Sequence, residues 1–244
     1  MKKILKICLL SLAFAPLLSK AMGIDSMLRT TVNGETAFTV TSGANYREFI
    51  QAGITELTVE NGKLSKMPYT RDNIEKWSLI VRPARAVIEP KLNKRFQIEF
   101  SPSPMTDISK DHVYQVSFIP TPYFAEGEPV TSAVQIALGF APVVIVPANK
   151  DKPIHYEIQR NKDNIVIKNN GDTYLRVTLN ACAKGEVSDS CRNVVQALSG
   201  RNLTIPLSEK MAKASEIKVD LSTHNLDYKQ SLTLKLGQTS ASQE

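Results

Sequence analysis

Apolar residues along this chain recur at every second position in short runs, and no stretch holds a helical period for long. The segment V-Q-I-A-L-G-F, Val134 to Phe140, shows the pattern. Val134, Ile136, Leu138 and Phe140 alternate with Gln135, Ala137 and Gly139. In an extended chain this lines one face with large side chains. The same reading predicts strands over Ser26–Val32, Glu35–Thr41, Phe49–Glu60, Trp77–Val81, Ala86–Glu89, Lys94–Phe100, Val113–Ile119 and Val134–Val146. Asn33-Gly34, Asn61-Gly62, the pair Pro102/Pro104 and the pair Pro120/Pro122 punctuate them as turns. The polar, proline-bracketed segment from Pro147 to Pro153 reads as a linker. After it the pattern restarts over Tyr156–Arg160, Asn164–Asn169, Thr173–Ala181, Val194–Leu198, Arg201–Pro206, Ser215–Leu221 and Ser231–Leu236. Met211-Ala212-Lys213 fits one helical turn, and the polar tail from Gln238 is expected to be loose.

Two runs of about seven short strands predict an all-β chain, with two immunoglobulin-like β-sandwiches in tandem. The expected division is a leader over 1–21, a first domain over 22–147, a linker over 148–153, a second domain over 154–238 and a tail over 239–244. The leader reads as a secretory signal peptide. Lys2, Lys3 and Lys6 precede an apolar run from Ile7 to Leu18, and Ser19-Lys20-Ala21 offers small residues for cleavage. That run is ~12 residues, short of the ~20 needed to span a bilayer. The mature chain then begins near Met22, with no later segment apolar enough to insert in a membrane.

Charge adds little after that. The formal net charge is +6, but Lys2, Lys3, Lys6 and Lys20 all leave with the leader. What remains is too weak and too scattered for a nucleic-acid stripe. Removing Cys8 leaves Cys182 and Cys191, an even pair in an exported chain, which suggests a disulfide. Closing that short loop contributes roughly 2.5–3 kcal/mol. The spacing is wrong for a redox CxxC, and no histidine cluster points to a metal or other cofactor. His112, His155 and His224 lie far apart and read as structural. There is no Gly-x-Ser-x-Gly elbow, phosphate loop, HExxH or EF-hand, and solvated turns account for Asp107, Asp111 and Glu126. No catalytic residue is assigned.

Binding is better represented than chemistry. Arg29 sits inside a predicted strand, where its guanidinium can stand at a cleft wall and pair with a carboxylate. The run from about Ser132 to Val146 exceeds the usual strand length of about 5–6 residues. A long apolar strand at an edge is an aggregation hazard unless a partner's sheet takes it up.

These stretches resemble the periplasmic pilus-assembly chaperones of the chaperone–usher pathway. The resemblance is carried by Val134-Gln135-Ile136-Ala137-Leu138, by Arg29 five residues before Gly34, and by N-N-G-D-T-Y-L-R-V-T-L, Asn169 to Leu179. The segment C-A-K-G-E-V-S-D-S-C, Cys182 to Cys191, is most similar to the alternate, colonisation-factor branch. The resemblance implies a boomerang of two immunoglobulin-like domains in the periplasm, with pilin subunits and an outer-membrane usher as partners. Val134, Ile136 and Leu138, joined by Phe140, are then the donor side chains that complete a pilin's sheet. Arg29 is the anchor for the pilin's C-terminal carboxylate. A free donor strand can also pair with a second copy of the chain. The sequence departs from the family at Pro142 and Val143, where a donor-strand lysine is expected. Arg82, Lys150 and Lys152 are the substitutes available in sequence, and Pro142 is expected to weaken strand pairing. Two other readings stay open: a pilus subunit or adhesion module, and a periplasmic hydrolase on a sandwich scaffold.

Overall fold

In a computed structural model, the described residues are 22–104, 106–124, 127 and 138–242. Their first part supplies β1 (Gly23–Ile24), β2 (Leu28–Thr30), β3 (Glu35–Thr41), β4 (Glu48–Glu60), β5 (Lys63–Pro68), β6 (Leu79–Arg82), β7 (Arg85–Ile88), β8 (Asn93–Phe100), β9 (His112–Pro122) and β10 (Val143–Val146). One sheet has the order β1-β3-β8-β6. The other runs β2-β10-β9-β4-β5, with β7 pairing β4. Alternation sets the layers. Tyr114, Val116 and Phe118 of β9 face Phe38 and Phe96 of the opposite sheet, and all five are fully buried. The Phe38 and Phe118 rings meet edge-on at 5.9 Å.

Asn33 and Gly34 take φ of 52° and 79°, the backbone of a tight hairpin turn, and Val32 and Glu35 exchange both hydrogen bonds at 3.0 Å. Yet the hairpin goes no further. β2 joins β10 while β3 joins β8, so the turn hands the chain from one sheet to the other.

The second part supplies β11 (Tyr156–Arg160), β12 (Asn164–Asn169), β13 (Leu175–Asn180), β14 (Arg192–Ala197), β15 (Asn202–Pro206), α1 (Glu209–Lys213), β16 (Glu216–Ser222), β17 (Lys229–Lys235) and β18 (Thr239–Ala241). Its sheets are β15-β12-β11-β18 and β14-β13-β16-β17. Ser208 caps α1 by accepting from the Met211 amide. Cys182 and Cys191 are disulfide-bonded. Arg160 is completely buried. Its guanidinium donates to the carbonyls of Leu234 at 3.0 Å, Ala214 at 2.6 Å and Met211 at 3.3 Å, tying β17 to the end of α1.

Several sequence expectations need correction. The run predicted as one strand from Val134 to Val146 is interrupted: β10 starts only at Val143, and Phe140 forms an isolated bridge before it. The segment Lys63–Pro68, to which the alternation assigned no strand, is a strand paired along its whole length with β4. Arg71–Lys76 forms a 3-10 turn that the sequence pattern did not predict. The tail expected to be loose contributes β18, because the Tyr156 amide donates to Ser242 Oγ and the Ser242 amide to the Tyr156 carbonyl. The linker is also pinned. Asp151 is buried and accepts from the amides of Asn225 and Asp227.

The sandwiches touch through a small apolar cluster of Leu57, Val113, Ile145 and Tyr174. Asp111 bridges them, accepting from the Ala148 amide at 2.8 Å and the Tyr174 amide at 2.6 Å. A second bridge lies at the tip of the β4–β5 hairpin, where the Gly62 carbonyl accepts from the Asn202 amide at 3.0 Å and Arg201 Nη1 at 2.8 Å.

Candidate functional site

The predicted donor strand is seen only at its end. Val134 and Ile136 lie outside the described residues. Leu138 is 65% exposed. Phe140 is half-buried and packs against the N-terminal core. Its amide donates to the Phe118 carbonyl at 3.1 Å, and the Phe118 amide donates back at 2.7 Å. Two residues on, the Pro142 carbonyl accepts from the Val116 amide at 2.9 Å, but proline has no N–H to return. The register nevertheless holds through it, with Phe140 opposite Phe118 and Val143 opposite Gln115. Pro142 therefore removes one ladder bond without shifting the strand. Between Leu138 and Phe140, a Cβ on Gly139 would lie 2.7 Å from the Phe118 carbonyl oxygen, so the close approach there needs glycine.

On its other side this strand is covered only from Val143 onward. Val143 pairs Leu28 of β2 and donates to the Met27 carbonyl at 2.9 Å. From there back toward Leu138, no described strand pairs with the edge. The unpaired edge and the exposed leucine together are the geometry on which an added strand can dock.

Arg29 lies where β2 begins to cover that strand. Its Cα partner is Val144, a core residue, so the stem starts on the inner face. The guanidinium stands 6.0 Å from the Phe38 ring centroid. Its Nη2 donates to Asp25 Oδ2 at 3.0 Å, and its Nε is buried without a partner. Arg29 also lines a crevice between the sandwiches. The far wall is the outer face of β13, β14 and β16, with Arg176, Gln196 and Ser222 abreast on neighbouring strands. Tyr174 and His224 close the floor, with Tyr174 OH 2.9 Å from His224 Nδ1. Of the residues that the sequence offers as a second cation, Arg82 is paired with Glu99 in the opposite sheet, and neither Lys150 nor Lys152 lines the crevice. Arg176 and Gln196 were not singled out by the sequence pattern. Their signal was present as the polar half of the alternation in β13 and β14, but which domain face meets β2 is set by tertiary packing.

A second hollow lies on the other side of Tyr174, lined by Glu56, Asp107, Lys110, Asp111 and His112 among others. His112 Nε2 is 2.9 Å from the Asp107 carbonyl, and Nδ1 is 3.6 Å from Glu56. Burial opposes its protonation, but Glu56 and that carbonyl outweigh burial and hold its pKa above the ordinary histidine value. Burial likewise raises the Asp111 carboxyl, against the two amides it accepts from. Among the described residues no group of three or more His, Cys, Asp or Glu side chains is placed to hold a metal ion. No helix among them is long and apolar enough to cross a membrane.

Among solved structures, the class 5 fimbriae chaperone CfaA matches with a TM-score of 0.50 at 17% identity, covering 88% of this chain and 98% of that one. A chain of the Salmonella enterica SafA pilin complex with the SafB chaperone matches at 0.52 and 11% identity, covering 89% and 97%. The E. coli chaperone DraB matches at 0.50 and 13%, covering 89% and 97%. At these identities the likeness is one of fold, and it embraces both sandwiches. No curated protein sequence matches the chain. The sequence itself matches the CS5 fimbrial protein N-terminal domain over residues 24–147, half of its length, and the chain belongs to that family.

Proposed function

We propose that this protein is a chaperone of fimbria assembly that holds a pilus subunit by lending it a strand. The observation that carries the reading is the uncovered edge beside Phe118, where Leu138 stands exposed. Val134, Ile136 and Leu138 enter the groove of a subunit that lacks its last strand, and Phe140 seats the donor on the chaperone's own core. Each donor side chain buried this way contributes ~1.5–3 kcal/mol, and backbone pairing gives register. Arg29 fixes where the subunit ends by binding its C-terminal carboxylate in place of Asp25. No bond is made or broken. The subunit leaves when a neighbour's strand replaces the donor at an outer-membrane usher, so the protein works in the periplasm after its leader is removed.

The shared fold supports this, because the SafB chaperone is seen in complex with the SafA pilin. The family description favours a second reading, a fimbrial subunit. Against it, each sandwich here already has its closing strand: β10 lies between β2 and β9, and β17 and β18 complete the second.

The test is recovery of a soluble complex from cells co-expressing the chaperone and the pilus subunit of its own gene cluster. Arg29→Ala, and Ile136→Asp combined with Leu138→Asp, are each expected to abolish recovery while the chaperone stays folded. Recovery unchanged in both variants overturns the reading.

A further inference from the structure

The crevice that Arg29 lines has an opposite wall, and its chemistry is one-sided. Arg29, Arg176 and His224 line it, and no described carboxylate does. Arg29 is already engaged by Asp25. Arg176 is exposed on β13 and makes no ion pair with any described carboxylate. Beside it on β14, directly opposite in register, Gln196 has its Oε1 buried without a hydrogen-bond partner. A buried acceptor left unpaired is costly, and an unopposed guanidinium in a crevice attracts an anion. Together they ask for a ligand with a negative charge next to an N–H donor. The last residue of a polypeptide has both, a terminal carboxylate and the amide N–H that precedes it.

We propose that the C-terminal sandwich supplies half of the subunit anchor: Arg176 pairs with the subunit's terminal carboxylate across the crevice from Arg29, and Gln196 Oε1 accepts the adjoining peptide N–H. This rests on the donor-strand reading above and places the second cation on a different domain from the donor strand. Pro142 and Val143 then need no cation, because the charge comes from the facing wall. An anchor split between two sandwiches also makes capture depend on their relative placement.

The experiment uses the same co-expressed subunit, in its native form and with two glycines added to its C-terminus. Arg176→Ala is expected to lower capture of the native subunit at least tenfold with an unchanged melting temperature, since the side chain is exposed. Arg176→Lys should restore part of the loss, and Gln196→Leu should give a loss of a few fold. The extended subunit should be captured poorly by the unsubstituted chaperone and no worse by Arg176→Ala. Wild-type capture by Arg176→Ala, with capture lost in Arg29→Ala, overturns the shared anchor and leaves the donor-strand reading intact. Equal losses by Arg176→Ala against both subunit forms also overturn it, because the contact is then not to the carboxylate. Unimpaired capture of the extended subunit by the unsubstituted chaperone removes the carboxylate contact altogether.

Discussion

The edges of the two sandwiches are finished in different ways. In the C-terminal sandwich β17 carries Lys229 and Lys235, β15 ends in Pro206, and β18 is a three-residue strand of Thr239, Ser240 and Ala241. Lysine, proline and shortness are the usual means of stopping a sheet from growing. The N-terminal sandwich uses the same means on β5, with Lys63, Lys66 and Pro68. At Leu138-Gly139-Phe140 it uses none of them. An apolar edge left open beside edges finished in these ways is what the proposed strand donation needs. In the proposed function the contrast separates two tasks: the first sandwich lends a strand, and the second does not.

Three variants would break or sharpen that contrast. The largest effect is expected at Arg160, whose guanidinium is buried and donates to carbonyls through Nη1 and Nη2. Arg160→Ala strips those carbonyls of their donors and should cost the C-terminal sandwich ~3–5 kcal/mol. Trp77, the single tryptophan, stacks on Tyr69 in the N-terminal half. Its fluorescence should report a melting transition displaced much less than the one seen by far-ultraviolet circular dichroism. Equal displacement of both signals would mean the sandwiches unfold as one unit.

Next is the disulfide. Replacing Cys182 and Cys191 with serine should destabilise the same sandwich by roughly 2.5–3 kcal/mol, again with the smaller change at Trp77. A denaturant midpoint that does not move would mean that the bridge does nothing to keep this half closed.

The smallest effect belongs to the N-terminal side and depends on pH. The folded-state pKa of His112 is raised by Glu56 and the Asp107 carbonyl, which overcome burial. A raised histidine pKa means the folded form binds its proton more tightly than the unfolded form. The contribution is therefore full below about 6.5, the unfolded value, and is lost as pH rises through the higher folded value. Glu56→Gln should flatten the stability profile across that window and bring the His112 titration, followed by NMR, to lower pH. An unchanged titration midpoint would show that Glu56 does not hold the proton.

Much of this architecture is local enough to be written in the sequence. Alternation located most strands, and Asn33-Gly34 and Asn61-Gly62 both proved to be turns of positive φ. What the same two dipeptides could not convey is where their strands go. After Asn61-Gly62 the chain pairs straight back on β4, while after Asn33-Gly34 it leaves for the other sheet. That choice depends on what else is available to pair with, which is a property of the whole sandwich. Pro142 was legible as a missing donor, but not that the register would run through it undisturbed. Arg29 was legible as a cation inside a strand. Arg176 was not, because its meaning comes from a face packed against residues about 150 positions earlier, and no local pattern records such a meeting.

The Asn61-Gly62 turn bears on more than its own hairpin. β4, at 13 residues and about 3.3 Å each, spans ~43 Å, and the turn at its tip is held by the Arg201 side chain and the Asn202 amide of the second sandwich. Tyr174 lines both the hollow on that side and the crevice on the other. The hairpin thus works as a calliper: its length sets one gap between the domains, and so the opposite gap, the crevice that Arg29 and Arg176 both line. Lengthening or shortening that arm would retune the grip without altering any residue that touches what is gripped.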